Sequence, residues 1–368
     1  MIFYKPLKSF LEEYNDKNVD NKYKTVAVGK YGIRTRESIY SKELAKDYSK
    51  NKLIYKNTLT VGMGSKQIDI GILSDNHVFS VSPAYHTFKI SNINPDYLRY
   101  CLQARNPDMF IRYVKRGSRQ GKAIDLKRWL TYEIPIHEKL VQKEIVKTLD
   151  VVKDLLEAYK EELDRYDELV KSRFVEIFGE LSSNPYGWET FTMGECFDIT
   201  SSKRILKSEW RAQGIPFLRV RDIVQLATTG QMENEYFVSE EFYKSLSDYD
   251  GVPQRGDILV SATSTLGKCH VVGEEERYYF KDADVLRFRA KKKINPIFFV
   301  ELMKEHYIEE QISKTLGITT VAHFTIKAAK NINMRCPDIE LQNEFANFVA
   351  QVDKSKLTLC RYNINVNK

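Results

Sequence analysis

Apolar residues recur along one stretch of the chain at alternating steps of four and three. After Ile134-Pro135-Ile136 they fall at Ile145, Leu149, Val152, Leu156, Tyr159, Leu163, Tyr166 and Val170, with Ile177 in phase and Lys, Glu and Asp between them. This is a heptad seam with a charged exterior, and it predicts one long helix that Gly179 and then Asn184-Pro185 bring to an end. At about 1.5 Å per residue that helix is on the order of 60 Å long, a spacer and not a core element. A second seam follows near the end of the sequence, at Leu341, Phe345, Phe348, Val352, Leu359 and Tyr362, interrupted by Ser355 and shorter than the first. A seam needs a partner, and the nearest candidate is the other seam of the same chain. The pattern therefore predicts a coiled coil whose seam residues are Leu149, Val152, Leu156, Tyr159, Leu163 and Tyr166 in the first helix and Phe345, Phe348, Val352 and Leu359 in the second.

The regions before each helix read differently. Short β-like runs (Val78-Phe79-Ser80-Val81; Asp257-Ile258-Leu259-Val260; Val285-Leu286-Arg287-Phe288) alternate with glycine-punctuated turns and short helices. Asn94-Pro95 and Asn295-Pro296 both have the form of a helix start, Asn as the cap and Pro in the first turn. The two regions are also related to each other. With Gln142 placed on Gln342, an offset of 200 (342 − 142), Gly117 meets Gly317, Leu126 meets Ile326, Lys127 meets Lys327, Ile134 meets Met334 and Glu144 meets Glu344. Ile93-Asn94-Pro95 meets Ile294-Asn295-Pro296 one residue out of step. The identities are sparse, but the shared order of features points to a duplicated unit. The expected fold is α+β: a globule over 1–136, a spacer helix over 137–184, a second globule over 185–336 and a shorter helix over 337–368.

Composition adds limits more than it adds function. With 42% hydrophobic and 29% charged residues the 368-residue chain is globular, and no apolar run approaches the length needed to span a bilayer. The apolar start Met1–Pro6 is too short for a signal peptide, and the five cysteines are scattered without a Cys-x-x-Cys pair. A cytoplasmic protein without disulfide framework or metal site is the expectation. A net charge of +7 favours a polyanionic partner only weakly.

The sequence carries no recognisable catalytic pattern. Gly117-Ser118-Arg119-Gln120-Gly121-Lys122 has the wrong glycine spacing for a phosphate loop, with Ala123 where a magnesium-binding hydroxyl belongs; Met63-Gly64-Ser65-Lys66 fails the same test. Asn94-Pro95-Asp96-Tyr97 is similar to the Asn-Pro-Pro-Tyr motif of amino-methylating DNA methyltransferases, but no glycine-rich loop follows an early strand to hold S-adenosylmethionine. The six histidines form no ligand pair, and no Ser or Cys sits in a nucleophile elbow. What remains is polar loop chemistry suited to DNA, or to a solvated surface of the same composition. Lys115, Arg116, Ser118, Arg119, Gln120 and Lys122 share one loop, and Lys66 sits in another. Arg can reach guanine bidentately, Gln can pair with adenine and Lys can neutralise phosphate. In the second globule the same vocabulary appears at Arg219 and Arg221, at Ser261, Thr263, Ser264 and Lys268, and at Thr319, Thr320 and His323.

These residues resemble a known family. Gly214-Ile215-Pro216-Phe217-Leu218-Arg219 with Asp222-Ile223, then Gly256-Asp257-Ile258-Leu259-Val260-Ser261 with Gly267, then Pro337-Asp338-Ile339-Glu340-Leu341-Gln342, look like successive motifs of the specificity subunits of type I restriction–modification systems. Ser82-Pro83-Ala84-Tyr85 with Phe88, Asn94–Leu98 and Gly117-Ser118-Arg119 are similar to another variety of the same recognition domain. His137 stands where the family has a proline before its first helix. The resemblance implies two target recognition domains, each reading half of a bipartite site in double-stranded DNA, with the two helices packed as an antiparallel coiled coil that sets the spacer. It implies a non-catalytic subunit on which methyltransferase (modification) subunits dock and motor–nuclease (restriction) subunits join, so that S-adenosylmethionine, ATP and magnesium belong to the partners. Two other classes stay open on the residues alone: part of a single-chain restriction or methyltransferase enzyme, and a coiled-coil interaction protein with no DNA target.

Overall fold

A computed structural model describes residues 3–30, 32–38, 47–116, 121–247, 252–315 and 323–366. The chain divides into two compact units, residues 1–158 and 159–368.

The first unit opens with β1 (Phe3–Pro6), β2 (Leu11–Tyr14), the hairpin β3 (Val26–Gly29) and β4 (Gly32–Thr35), β5 (Lys52–Ile54), β6 (Thr58–Met63), β7 (Ile68–Ile72), β8 (Phe79–Val81) and β9 (His86–Ile90). It continues through α1 (Pro95–Ala104), α2 (Asn106–Tyr113), the hairpin β10 (Val114–Arg116) and β11 (Lys122–Ile124), α3 (Leu126–Trp129) and β12 (Glu133–Ile136) into α4 (Lys139–Phe178). Its central antiparallel sheet has the order β2-β9-β6-β7, and β1 pairs with β12. The core under that sheet holds Leu59, Val61, Phe88, Leu98, Leu102 and Trp129, all fully buried.

The second unit runs through β13 (Glu189–Thr192), α5 (Met193–Cys196), β14 (Phe197–Thr200), β15 (Ile215–Leu218), α6 (Val220–Thr229), β16 (Phe237–Val238), α7 (Glu240–Ser247), β17 (Ile258–Ser261), β18 (Cys269–Val271), β19 (Tyr279–Phe280) and β20 (Val285–Ala290). It ends with α8 (Pro296–Leu302), α9 (His306–Thr315), α10 (Ile326–Lys330), β21 (Asn333–Cys336) and α11 (Ile339–Val366). Its central sheet has the order β14-β20-β17-β18, β13 pairs with β21, and a smaller sheet has the order β16-β15-β19.

The duplication read in the sequence is thus a duplication of topology. β2-β9-β6-β7 repeats as β14-β20-β17-β18, β1·β12 as β13·β21, and α1 to α4 as α8 to α11. The aligned glutamines make the same latch in each copy. Gln142 is 2% exposed; its Oε1 accepts the Asn94 N–H at 2.9 Å and its Nε2 donates to His137 O at 2.8 Å. Gln342 is 1% exposed, accepting from Asn295 N–H at 2.9 Å and donating to Pro337 O at 2.8 Å. One buried amide side chain therefore satisfies the backbone at a helix cap and at the root of the long helix together, which explains why the type and spacing recur. Both predicted Asn caps form: Asn94 accepts from Tyr97 N–H, and Asn295 from Ile297 and Phe298 N–H. His137, at the position of the missing proline, accepts the Gln142 side-chain N–H on its carbonyl and packs its ring edge-on against Tyr97.

The long helices behave as the heptads predict in one half of α4. From Tyr159 onward its side chains pack on α11 within the second unit. Phe174 and Phe178 both lie 5.4 Å from the ring of Phe345, Arg173 meets Glu344 at 2.9 Å, and Asp167 meets Lys356 at 2.5 Å. Numbers fall on one helix as they rise on the other, so the pairing is antiparallel. Tyr166, Phe345, Phe348 and Val352 of the expected seam join this core. Tyr159, Leu163 and Leu359 are partly buried. Beyond Val170 the buried positions of α4 step by four, to Phe174 and Phe178, and leave Ile177 at the margin. There the helix leaves a coiled-coil seam for the globular core, where straight 3.6-residue geometry applies. The other half of α4 differs: Ile145 and Val146 pack on the first core and Tyr100 donates to Asp150 at 2.5 Å, but Leu149, Val152 and Leu156 are exposed. As expected, α11 is the shorter helix, 28 residues against 40.

Candidate nucleic-acid interface

In the first unit two hairpins that carry cations meet through Lys122, which also lines a cleft beside them. β6 and β7 form a hairpin whose tip holds Lys66, exposed, and Ser65. Asn106, near the start of α2, anchors that tip by accepting the Ile68 N–H at 3.0 Å and donating to Ile68 O at 2.8 Å. β10 and β11 form the second hairpin, in which Arg116 lies opposite Lys122. Lys122 then crosses between the two: its Nζ donates to Ser65 O at 2.8 Å and sits 5.0 Å over the Phe110 ring. Lys66, Lys115 and Lys122, read from separate segments, are in this way brought to one pair of hairpins. Lys115 is held by Asp125 at 3.3 Å, and that hydrogen bond is the main reason the Asp125 carboxyl lies below the usual carboxylate range. Ser118, Arg119 and Gln120 lie outside the described residues, as does the side chain of Arg116.

Beside these hairpins is a cavity of about 460 Å³ lined by Arg36, Gly62, Met63, Tyr85, His86 and Lys122 among others. Tyr85 forms a fixed aromatic wall: its hydroxyl donates to Val28 O at 3.0 Å and its carbonyl accepts from Lys52 Nζ at 2.6 Å. Gly62 makes room for it, since a Cβ at that position would stand 2.2 Å from the ring. Arg36 stacks 5.3 Å over Tyr48, and its Nε is buried with no hydrogen-bond partner among the described residues. His86 shares a hydrogen bond of 2.9 Å with Glu13. Arg36 and His86 are absent from the residues picked out by loop composition. A signal that could have located them is Gly62, because a glycine inside a strand marks a close approach.

The second unit distributes its candidates over two places. Arg219 caps α6 and Arg221 lies in its first turn, not in a loop. Their guanidinium groups reach Glu235 at 3.5 and 3.4 Å, and Arg219 stacks 4.3 Å over Tyr236. Asp222, at the third position of the helix, accepts the Arg219 N–H at 2.8 Å. Both arginines are therefore partly neutralised at home. The turn after β17 is built by Ser261, which is buried; its hydroxyl donates to Thr265 O at 2.5 Å and accepts from Lys268 N–H at 2.9 Å. That side chain shapes the turn and does not reach the surface. Ser264 and Lys268 are exposed, and Thr263 forms a β-bridge with His323, so two segments distant in sequence meet here. The His323 Nδ1 is buried with no partner among the described residues. Thr319 and Thr320 lie outside the described residues. In the Lys291–Lys293 run, Lys292 sits 3.2 Å over the Phe191 ring and Lys291 donates to Gly194 O at 2.5 Å.

Among the described residues no three His, Cys, Asp or Glu side chains gather into a group that could hold a metal ion, and no helix is long and apolar enough to cross a membrane. What the surfaces offer is cations and amphipathic rings on rigid hairpins, the chemistry that positions a phosphate backbone and contacts base edges.

Comparison with known proteins points the same way. A family model described as type I restriction modification DNA specificity domain matches twice, over residues 5–165 and 185–366. A Haemophilus influenzae protein described as a type I restriction enzyme specificity subunit is 30% identical over 42% of this chain and 39% of its own length. The type I restriction enzyme MjaVIII specificity subunit of Methanocaldococcus jannaschii is 23% identical over 70% of this chain and 63% of its own. The chain thus spans less than two thirds of the length of either relative. Two solved structures share the fold. The S subunit of a type I restriction–modification system from M. genitalium has a TM-score of 0.54 at 16% identity, covering 100% of this chain and 93% of that one. A chain from a structure concerned with complex assembly and conformational transition of the type I system has a TM-score of 0.53 at 15% identity, covering 99% and 93%.

Proposed function

Because the chain belongs to the family of type I restriction–modification DNA specificity domains, we propose that it reads a bipartite site in double-stranded DNA and performs no chemistry itself. Each globule reads one half-site, and the paired helices set the spacing between them. The observation that carries this reading is the duplicated frame, with its repeated glutamine latch, bearing different loops in its two copies. A frame repeated with changed loops is what two unlike half-sites require. In the first globule the reading residues are Lys66, Lys115, Arg116, Ser118, Arg119, Gln120 and Lys122, together with Arg36 and His86 of the cleft. In the second they are Thr263, Ser264, Lys268, Thr319, Thr320 and His323, with Arg219 and Arg221 able to exchange Glu235 for phosphate.

The exposed apolar side chains of α4, Leu149, Val151, Val152, Leu155 and Leu156, support a docking role for that helix, because such a stripe on a charged helix marks a protein-binding surface. Its partners in this proposal are the methyltransferase subunits, with restriction subunits joining them in the cytoplasm. Adenine methylation and ATP-dependent cleavage belong to that assembly, and S-adenosylmethionine, ATP and magnesium to its other subunits. The methylated positions across a host genome, mapped with and without this gene, test the reading. One bipartite motif should disappear with the gene; an unchanged methylome, or methyl transfer by the isolated chain, would overturn it.

A further inference from the structure

Two thiols in the second unit form a cluster to which DNA reading assigns no role. Cys196 closes α5 and is fully buried; Cys336 ends β21 and is half-buried; their Sγ atoms are 4.0 Å apart although 140 residues separate them in sequence. Both are free thiols, and their sulfurs are in direct contact. The surroundings are fixed on either side. Thr192 and Glu195 form a capping box that holds α5, the Cys196 carbonyl accepts the Lys291 N–H at 2.8 Å, and Cys336 is held in the β13·β21 ladder opposite Glu189. The hydrogen bond from Cys336 pulls the Cys196 thiol below its ordinary value, with the Lys292 and Lys291 ammonium groups adding to the effect. The same hydrogen bond pushes Cys336 up, since it keeps the shared proton. Cys269, by contrast, has no thiol neighbour among the described residues, and burial pushes it up to about 12.

We propose that Cys196 and Cys336 are a redox modification site, a dithiol that hydrogen peroxide closes to an intramolecular disulfide. Cys196, as thiolate, attacks one peroxide oxygen; the O–O bond breaks, the other oxygen leaves as water after taking up a proton, and Cys196 becomes a sulfenic acid. The Cys336 sulfur then displaces that hydroxyl, which leaves as a second water with the Cys336 proton. Two thiols are oxidised by two electrons and one peroxide is reduced to two waters. The bond ties α5 to the strand that ends just before α11, and so staples the root of that helix to the globule it serves. By closing a long loop it constrains the unfolded chain far more than the folded one.

The test uses the whole chain, first reduced and then exposed to graded hydrogen peroxide. Digestion without reductant should yield a cross-linked peptide pair containing Cys196 and Cys336, lighter by two hydrogens than the sum of its parts and released by a dithiol. The oxidised protein should melt at a higher temperature than the reduced one. C196S and C336S should each abolish the linked peptide and the melting shift, while C269S should keep both. The proposal is overturned if both thiols stay free under peroxide, if they oxidise separately to sulfinic acids, or if only cross-links between chains form. Because the peptide map is made on the unmodified sequence, it decides the matter even where a variant folds poorly, and none of its outcomes depends on DNA binding.

Discussion

Between the first and third strands of its central sheet, the first globule inserts the hairpin β3·β4 and strand β5; at the same place the second inserts β15, α6, β16 and α7. Around these insertions everything is held in common: sheet order, paired end strands, Asn-Pro cap and buried glutamine. The contrast separates two kinds of constraint. Residues that close the frame must satisfy buried polar groups and fill a core, so they recur in type and spacing. Residues on the insertions and hairpin tips are free of that demand, and they differ. A second contrast lies within α4, whose later half is buried against α11 while much of its earlier half presents leucine and valine to solvent.

The largest expected effect concerns α4. Phe345→Ala removes a fully buried ring that Phe174 and Phe178 both contact, and should cost about 3–5 kcal/mol in chemical denaturation. Leu156→Ala, at a position 51% exposed, should stay within about 0.5 kcal/mol in the isolated chain. Equal losses would show that the two halves are packed alike. Next, Gly62→Ala forces a methyl group into the Tyr85 ring and should destabilise the first globule by about 1–3 kcal/mol; a neutral result would mean that the cleft wall is soft. Gln142→Ala and Gln342→Ala each strand a partly buried N–H and a carbonyl, and should cost about 1–3 kcal/mol apiece. If one proves silent, the two latches are not equivalent and the frame is less symmetric than its hydrogen bonds imply. The smallest effect is expected from Lys122→Ala. Duplex binding by the assembled complex should weaken modestly, its log–log salt dependence becoming shallower by about one counterion. An unchanged slope would remove Lys122 from the phosphate contacts.

Much of the frame was legible in the sequence because its signals are local or periodic. Heptads announce α4, Asn-Pro announces α1 and α8, and Gln142 and Gln342 announce the repeat. The candidate interface was legible only in part. Lys66, Lys115 and Lys122 were recognisable as polar loop residues, but the contact of Lys122 with Ser65 spans 57 residues of sequence and no local pattern encodes it. Arg219 and Arg221 looked like loop cations because the short helix α6 was not seen; Asp222 at its third position, a carboxylate placed to receive a free N–H, was the missed sign. Ser261 has the composition of a contact residue and the position of a turn builder, a difference that only burial settles. Phe174 and Phe178 escaped the heptad reading because the helix changes its packing period where it meets the globule.

The separation of frame from loops is tested most directly by exchange. Residues 3–136 would be replaced with the matching segment of a relative that modifies a different sequence, and the methylated motif mapped with the same methyltransferase partner. The account predicts that one half of the bipartite motif changes while the other half and the spacer length are kept. A motif altered in both halves, or in neither, would contradict it.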